Sequence, residues 1–97
     1  MEKEVVRARL PAKDEVLGKV ELMLGGDMMS VICEDGKKRI CRIPGRLRKR
    51  VWISPGDLVL VKPWKIKGDE RGDVVFRYTP TQANWLKSKG LIKNLEI

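Results

Sequence analysis

Five arginines and three lysines fall within residues 37–50, KKRICRIPGRLRKR, and no Asp or Glu interrupts them. Side chains of this type at this density do one kind of chemistry well. They neutralise the oxygens of a polyanion, and arginine adds bidentate phosphate contacts and stacking on bases. The chain has 21 basic and 13 acidic residues, for a formal charge of +8. Outside this run the two signs balance, so a neutral body carries one cationic segment. The bland alternative is a solvated charged face. Eight cations with no acidic residue in the run favour a phosphate backbone instead. If about half of them meet phosphates, log K falls against log salt with a slope of roughly −3.

Other chemistries find few candidates. The chain has no histidine, which removes the commonest general base near neutral pH and the commonest zinc ligand. Cys33 and Cys41 are the only thiols. Across a hairpin turning at Asp35-Gly36 they sit about three ladder positions apart, roughly 10 Å, too far for a disulfide. Two small core thiols are the expectation. Asp69, Glu70 and Asp73 cluster with Arg71, where loop solvation accounts for them. Gly25-Gly26, Pro44-Gly45 and Pro55-Gly56 turn the chain and lack the Gly-Lys-Ser/Thr ending of a phosphate loop. No nucleophile and base can be paired. The reading is a protein that is not an enzyme, with no cofactor and no metal site. Trp52 and Trp64 lie beside cations and fit either stacking on bases or packing under their own turns. Phe76, Tyr78 and Trp85 are assigned to the core or to helix docking.

A scaffold must position these groups, and 97 residues allow one domain. From Glu15 the pattern has period two, with Val16, Val20, Leu22 and Leu24 assigned to one face and Lys19 and Glu21 to the other. Gly18 reads as a bulge or bend. Gly25-Gly26-Asp27 turns the chain into a second strand ending near Glu34. Asp35-Gly36 then predicts a tight hairpin and a third strand up to Ile43. One helical turn after Pro44-Gly45 tucks Leu47 and Val51 inward. Leu58-Val59-Leu60-Val61 reads as a strand buried on both faces, and Val74 to Tyr78 as a fifth. Thr79, Pro80 and Gln82 form a helix start with a capping box, and Gly90 ends that helix. Five strands, a short helix after the third and a C-terminal helix predict an all-β, five-stranded Greek-key barrel, the OB-fold. An SH3-like barrel is the main competitor.

Several blocks resemble one known family. They are Leu22-Met23-Leu24-Gly25-Gly26-Asp27, Cys33-Glu34-Asp35-Gly36, the run from Cys41 through Ile53, Gly56-Asp57-Leu58-Val59-Leu60-Val61-Lys62-Pro63-Trp64, Gly72-Asp73, Arg77-Tyr78 and Trp85-Leu86-Lys87. Together they are similar to translation initiation factor 1A over roughly residues 14–92. The resemblance implies an OB-fold with a helical extension. It also implies binding to ribosomal RNA at the A site of the small ribosomal subunit, where such a factor excludes elongator tRNA and promotes placement of initiator tRNA and mRNA. Carried over by position, Arg46, Arg48, Lys49, Arg50 and Trp52 are the first RNA-contact candidates. Arg39, Arg42, Lys62, Trp64, Lys65 and Lys67 are the second.

The chain departs from eukaryotic members, which have a long basic N-terminal arm and a long acidic tail, so the resemblance is to the archaeal type. A translational GTPase initiation factor is a further partner the family implies, but tail functions are not transferred. Leu95-Glu96-Ile97 is too short an end to count as a docking peptide. The expected organisation is a flexible arm at 1–13, the barrel at 14–79 and a helical extension and tail at 80–97. No apolar stretch has the length of a membrane span, and Met1-Glu2-Lys3-Glu4 has no apolar signal core. A cytoplasmic protein, monomeric when free, is expected. The alternative is a general RNA-binding or RNA-chaperone OB module of the cold-shock type. A third class is a module that binds an acidic protein through residues 37–50.

Overall fold

The period-two runs become strands β1 (Val16–Gly25), β2 (Met28–Cys33), β3 (Lys38–Arg42), β4 (Leu58–Pro63) and β5 (Arg71–Arg77). Helix α1 (Gly45–Arg48) joins β3 to β4, and α2 (Pro80–Ser88) follows β5. The structure, a computed structural model, describes residues 8–48 and 52–96. The strands close into a barrel in the order β1-β2-β3-β5-β4. The β3–β5 ladder is parallel and the other four are antiparallel. This is the OB-type closure predicted from the strand pattern.

Closure needs the early strand to serve both edges. Gly18 pairs with Cys33 on one side and with Val59 on the other. A Cβ there would lie 2.4 Å from Val31 Cγ1, so glycine allows the close approach. The irregularities of β1 lie further on, as register shifts between Val20 and Leu22 and between Met23 and Gly25. They overturn the assignment of Leu22 and Leu24 to the core face. The first shift moves Leu22 and Met23 to the faces opposite those that strict alternation gives them, and the second leaves Leu24 without a partner in the ladder. Leu22 now stands opposite Ser30, which alternation puts on the outer face of β2 although it is covered there, and Met23 stands opposite Met29 of the inner face. The β4 partner also ends at Lys19, so the hairpin tip extends past the barrel. Leu22 and Leu24 are about half exposed.

β4 is buried on both faces, as its apolar run predicts. Val59 and Val61 face the barrel interior with Val20, Met29, Val31, Cys33, Cys41 and Val74. Leu58 and Leu60 face the opposite way, into a second core with Leu17, Tyr78, Ala83 and Leu86. Phe76 meets Tyr78 edge to face with centroids 4.8 Å apart, and Trp85 packs at the margin of this core. The two thiols are free and buried. Burial pushes Cys41 up to about 12 and also raises Cys33, so both stay protonated at neutral pH. Cys41 pairs with Met29, and the ladder reaches Ile32 opposite Lys38. The cysteines therefore stand four positions apart rather than three.

α2 starts and stops as its sequence dictates. The Thr79 hydroxyl accepts from the Gln82 N–H, and the Gln82 side chain accepts from the Thr79 N–H. At the far end Lys89 is the cap, and Gly90 takes the following position with φ +80°. The Leu91 N–H reaches the Leu86 carbonyl and the Gly90 N–H the Lys87 carbonyl, the paired bonds of a Schellman stop. The chain then stays on the barrel. Ile92 and Leu95 are buried, and the Glu34 carboxylate accepts from the N–H groups of Lys93 and Asn94 at 2.6 and 3.0 Å. Leu95 is thus a core residue of its own chain.

The N-terminal approach is tied down as well, from the first described residue. Ala8 packs against the second core, the Tyr78 hydroxyl donates to the Arg9 carbonyl, and Arg9 pairs with Glu15 at 2.8 Å. Ala8 and Arg9 are thus held on the body, while Leu10 stays exposed; residues 1–7 of the expected arm are outside the described part. No helix among the described residues is long and apolar enough to cross a membrane.

Candidate nucleic-acid interface

The β2–β3 register decides which cations of the basic run face outward. Val31 pairs with Arg39 and Met29 with Cys41. Both partners are inner-face residues, so Arg39 and Cys41 point inward and Lys38, Ile40 and Arg42 outward. Arg39 is only 3% exposed. Its two terminal nitrogens donate to the Asp35 carboxylate at 3.1 and 2.8 Å, and its Nε donates to the Gly68 carbonyl at 2.5 Å. Burial disfavours its charge, but Asp35 and the Cys33 sulfur more than offset this and its pKa is raised. The same bonds hold the Asp35 carboxyl below the usual carboxylate range. Position in the run makes Arg39 a candidate RNA contact. The fold instead commits it to locking the β2–β3 turn to the loop before β5.

Arg42, three residues on, has a different setting. It pairs in register with Asp73 of β5, and Asp73 pairs in turn with Lys62 of β4. The three side chains therefore form a row across one outer face. The Arg42 guanidinium lies 5.8 Å from the centroid of Trp64, within cation–π range, and its Nε is 3.4 Å from Asp73 Oδ1. The Trp64 indole N–H donates to that same oxygen at 3.0 Å. Trp64 is still 38% exposed. It opens the loop that carries exposed Lys65, Ile66 and Lys67.

The other candidates divide by location. Arg46, on α1, is exposed and rims a shallow cleft of about 390 Å³ with Pro44, Leu47, Val74 and Val75. Leu47 anchors α1 to the barrel core, as its spacing predicts. Arg48 closes α1. Lys49, Arg50 and Val51 lie outside the described residues. Trp52 is 85% exposed, so its ring is not packed under its own turn. The next residue, Ile53, is buried in the barrel core. β5 links these groups, since Asp73 holds Arg42 and Trp64 while Val74 and Val75 line the Arg46 cleft.

Charge compensation separates the cations again. The run has no acidic residue, but the fold brings several to it. Lys37 meets Asp69 at 2.7 Å, Lys38 meets Glu21 at 2.9 Å, Arg39 meets Asp35 and Arg42 meets Asp73. Lys62 meets Asp14 at 3.7 Å. Among the described residues Arg46, Lys65 and Lys67 have no carboxylate partner. These are the open charges a phosphate would meet. Sequence reasoning missed Asp73 as part of this surface. Its only local signal is a Gly-Asp step at a strand start, and its role depends on a parallel ladder. Among the described residues no three His, Cys, Asp or Glu converge as metal ligands would.

Residues 4–96 match the family model described as translation initiation factor 1A / IF-1. The chain is 57% identical over 89 residues to translation initiation factor 1A of Pyrococcus abyssi, covering 92% of this chain and 79% of that protein. It is 49% identical over 90 residues to translation initiation factor 1A of Methanothermobacter thermautotrophicus, covering 93% and 91%. Its fold is similar to the solution structure of translation initiation factor 1 from the Wolbachia endosymbiont of Brugia malayi. That match has a TM-score of 0.54 at 27% identity and covers 71% of this chain and 82% of that one. With a family match over nearly its whole length and archaeal relatives at this identity, the chain belongs to the translation initiation factor 1A family, in its archaeal form.

Proposed function

We propose that this chain binds ribosomal RNA at the A site of the small ribosomal subunit during initiation. By occupying that site it excludes elongator tRNA and favours placement of initiator tRNA and mRNA. It acts by shape and charge, with no reaction of its own. The observation that carries this reading is the solvent-facing surface at the ends of β3, β4 and β5. There Arg42, Lys62 and Trp64 stand in one cluster, and Arg46, Lys65 and Lys67 offer uncompensated charge. An OB barrel that presents cations and the exposed Trp64 on one surface fits phosphates and unstacked bases together. Membership of an initiation-factor family supports the small subunit as the source of that RNA.

Footprinting on isolated archaeal small subunits tests the reading. The expected result is protection confined to the decoding region of the A site. Protection elsewhere, or none, overturns it. Exposed Trp52 and Trp64 also suit a general single-strand binder. Equal affinity for unstructured RNA and for small subunits at moderate salt would favour that module instead.

A further inference from the structure

Asp73 presents a difficulty for any polyanion-binding face. It is a carboxylate set between Arg42 and Lys62, where it repels phosphate and cancels part of the attraction. Its contacts point to another use. One oxygen, Oδ1, takes the Trp64 indole N–H at 3.0 Å and lies 3.4 Å from Arg42 Nε. Arg42 meanwhile covers the Trp64 ring at 5.8 Å. The Trp64 backbone is fixed too. Its N–H donates to the Arg71 carbonyl, and the loop folds so closely over it that a Cβ at Gly68 would lie 2.4 Å from the Trp64 carbonyl oxygen. A large ring held at its backbone, its edge and its ring system, yet 38% exposed, has little rotamer freedom left to lose on binding.

We infer that Trp64 is a preformed platform on which an unpaired nucleobase stacks, and that Asp73 is the positioning residue that holds the ring for it. Lys62 and Lys65 flank the ring in sequence and are exposed, so they meet the phosphates on either side of that base. Stacking of a base on an aromatic ring tolerates sequence and needs no polar readout of the base edge. The inference rests on the reading that this surface meets RNA, and it names the part of the RNA that Trp64 takes.

Variants are titrated with isolated archaeal small subunits and, separately, with an unstructured adenine-rich RNA oligomer. Trp64→Ala weakens binding about tenfold to a hundredfold and leaves the salt slope unchanged, because no cation is lost. The Asp73 variants carry the decisive sign. If Asp73 were only a misplaced charge, Asp73→Ala would tighten RNA binding. As a positioning residue it weakens binding several-fold, while Asp73→Asn, which keeps an oxygen for the indole, binds at least as well as the parent chain. The Asp73→Ala loss also vanishes in a Trp64→Ala background, which a merely structural role would not produce. Parent-like binding by Trp64→Ala to both RNAs overturns the platform. A loss from Asp73→Ala that persists without Trp64, or tighter binding by Asp73→Ala, overturns the positioning role. If the parent chain fails on subunits but its oligomer binding still depends on Trp64, the ribosome reading falls and the platform stands.

Discussion

Arg39 and Arg42 sit three residues apart on β3 and belong to the same basic run, yet they do opposite things. Arg39 points inward, is almost wholly buried and commits its three donor nitrogens to Asp35 and the Gly68 carbonyl. Arg42 points outward, keeps about half of its side chain in water and lies over a tryptophan. The alternation of a strand places them on opposite faces. A cation at the inner face must be paired, since an unpaired buried charge is prohibitively costly. One at the outer face can hold its charge in reserve for a ligand. High local charge in a sequence is thus no measure of charge available for binding.

Removing Arg39 breaks this contrast most severely. Arg39→Ala strips Asp35 of its bidentate partner and leaves the Gly68 carbonyl without its donor. Breaking a buried pair costs about 3–5 kcal/mol, and the part-exposed Asp35 lowers this to about 2–4 kcal/mol. For a chain of this size the thermal midpoint falls by on the order of 10–20 °C. Calorimetry checks it, and a midpoint within a few degrees of the parent would show that the lock carries no stability. Arg42→Ala should shift the midpoint hardly at all, with a cost below about 0.5 kcal/mol.

In RNA binding the order reverses. Arg42→Ala weakens small-subunit affinity by about three- to tenfold and flattens the salt slope by roughly 0.7–0.9, the share of one phosphate contact. Titrations at several salt concentrations read both quantities. An unchanged slope would mean that Arg42 only covers Trp64 and meets no phosphate.

Acid separates the two pairs more gently. Arg39's hydrogen bonds hold the folded Asp35 carboxyl below its ordinary range. A depressed carboxylate stabilises the fold above its unfolded value, about 4, and that stability is lost as pH falls through the folded value. The parent chain therefore loses stability below about pH 4. Glu21, also lowered by Lys38 and Ser30, contributes in the same window, so the comparison with Asp35→Asn isolates Asp35. That variant starts less stable at neutral pH and approaches the parent as the pH falls. Parallel curves for the two chains would remove Asp35 from the acid response.

The features legible in the sequence are local ones. The Thr79–Gln82 box and the Gly90 stop need only the residues around them, and both appear in α2. β4 announces its burial on both faces because four adjacent apolar residues leave no polar face. A period-two pattern misplaces Leu22 because a bulge one residue earlier is invisible to it. The inward turn of Arg39 is hidden for a related reason. Ile40 and Cys41 are adjacent and both apolar, so the pattern fits either parity, and only pairing with Val31 and Met29 selects one. The Arg42–Trp64–Asp73 cluster lies beyond local reading altogether. A parallel β3–β5 ladder and the β4–β5 hairpin assemble it from three strands.

Arginine-to-lysine exchange gives the sharpest reading of the contrast. Lysine keeps a positive charge but loses the planar fork. At position 42 the fork is not fully used, since a single Nε contact at 3.4 Å reaches Asp73 and the rest of the guanidinium only covers the ring. Arg42→Lys should keep subunit affinity within about threefold and preserve the salt slope, because an ammonium satisfies both phosphate and ring. At position 39 all three contacts use the fork. One ammonium cannot reach both Asp35 oxygens and the Gly68 carbonyl from the same place. Arg39→Lys therefore costs about 1–3 kcal/mol, measurable by denaturant unfolding, although the charge is unchanged. If the two exchanges shifted stability equally, charge alone would account for both arginines and the geometric distinction between them would fail.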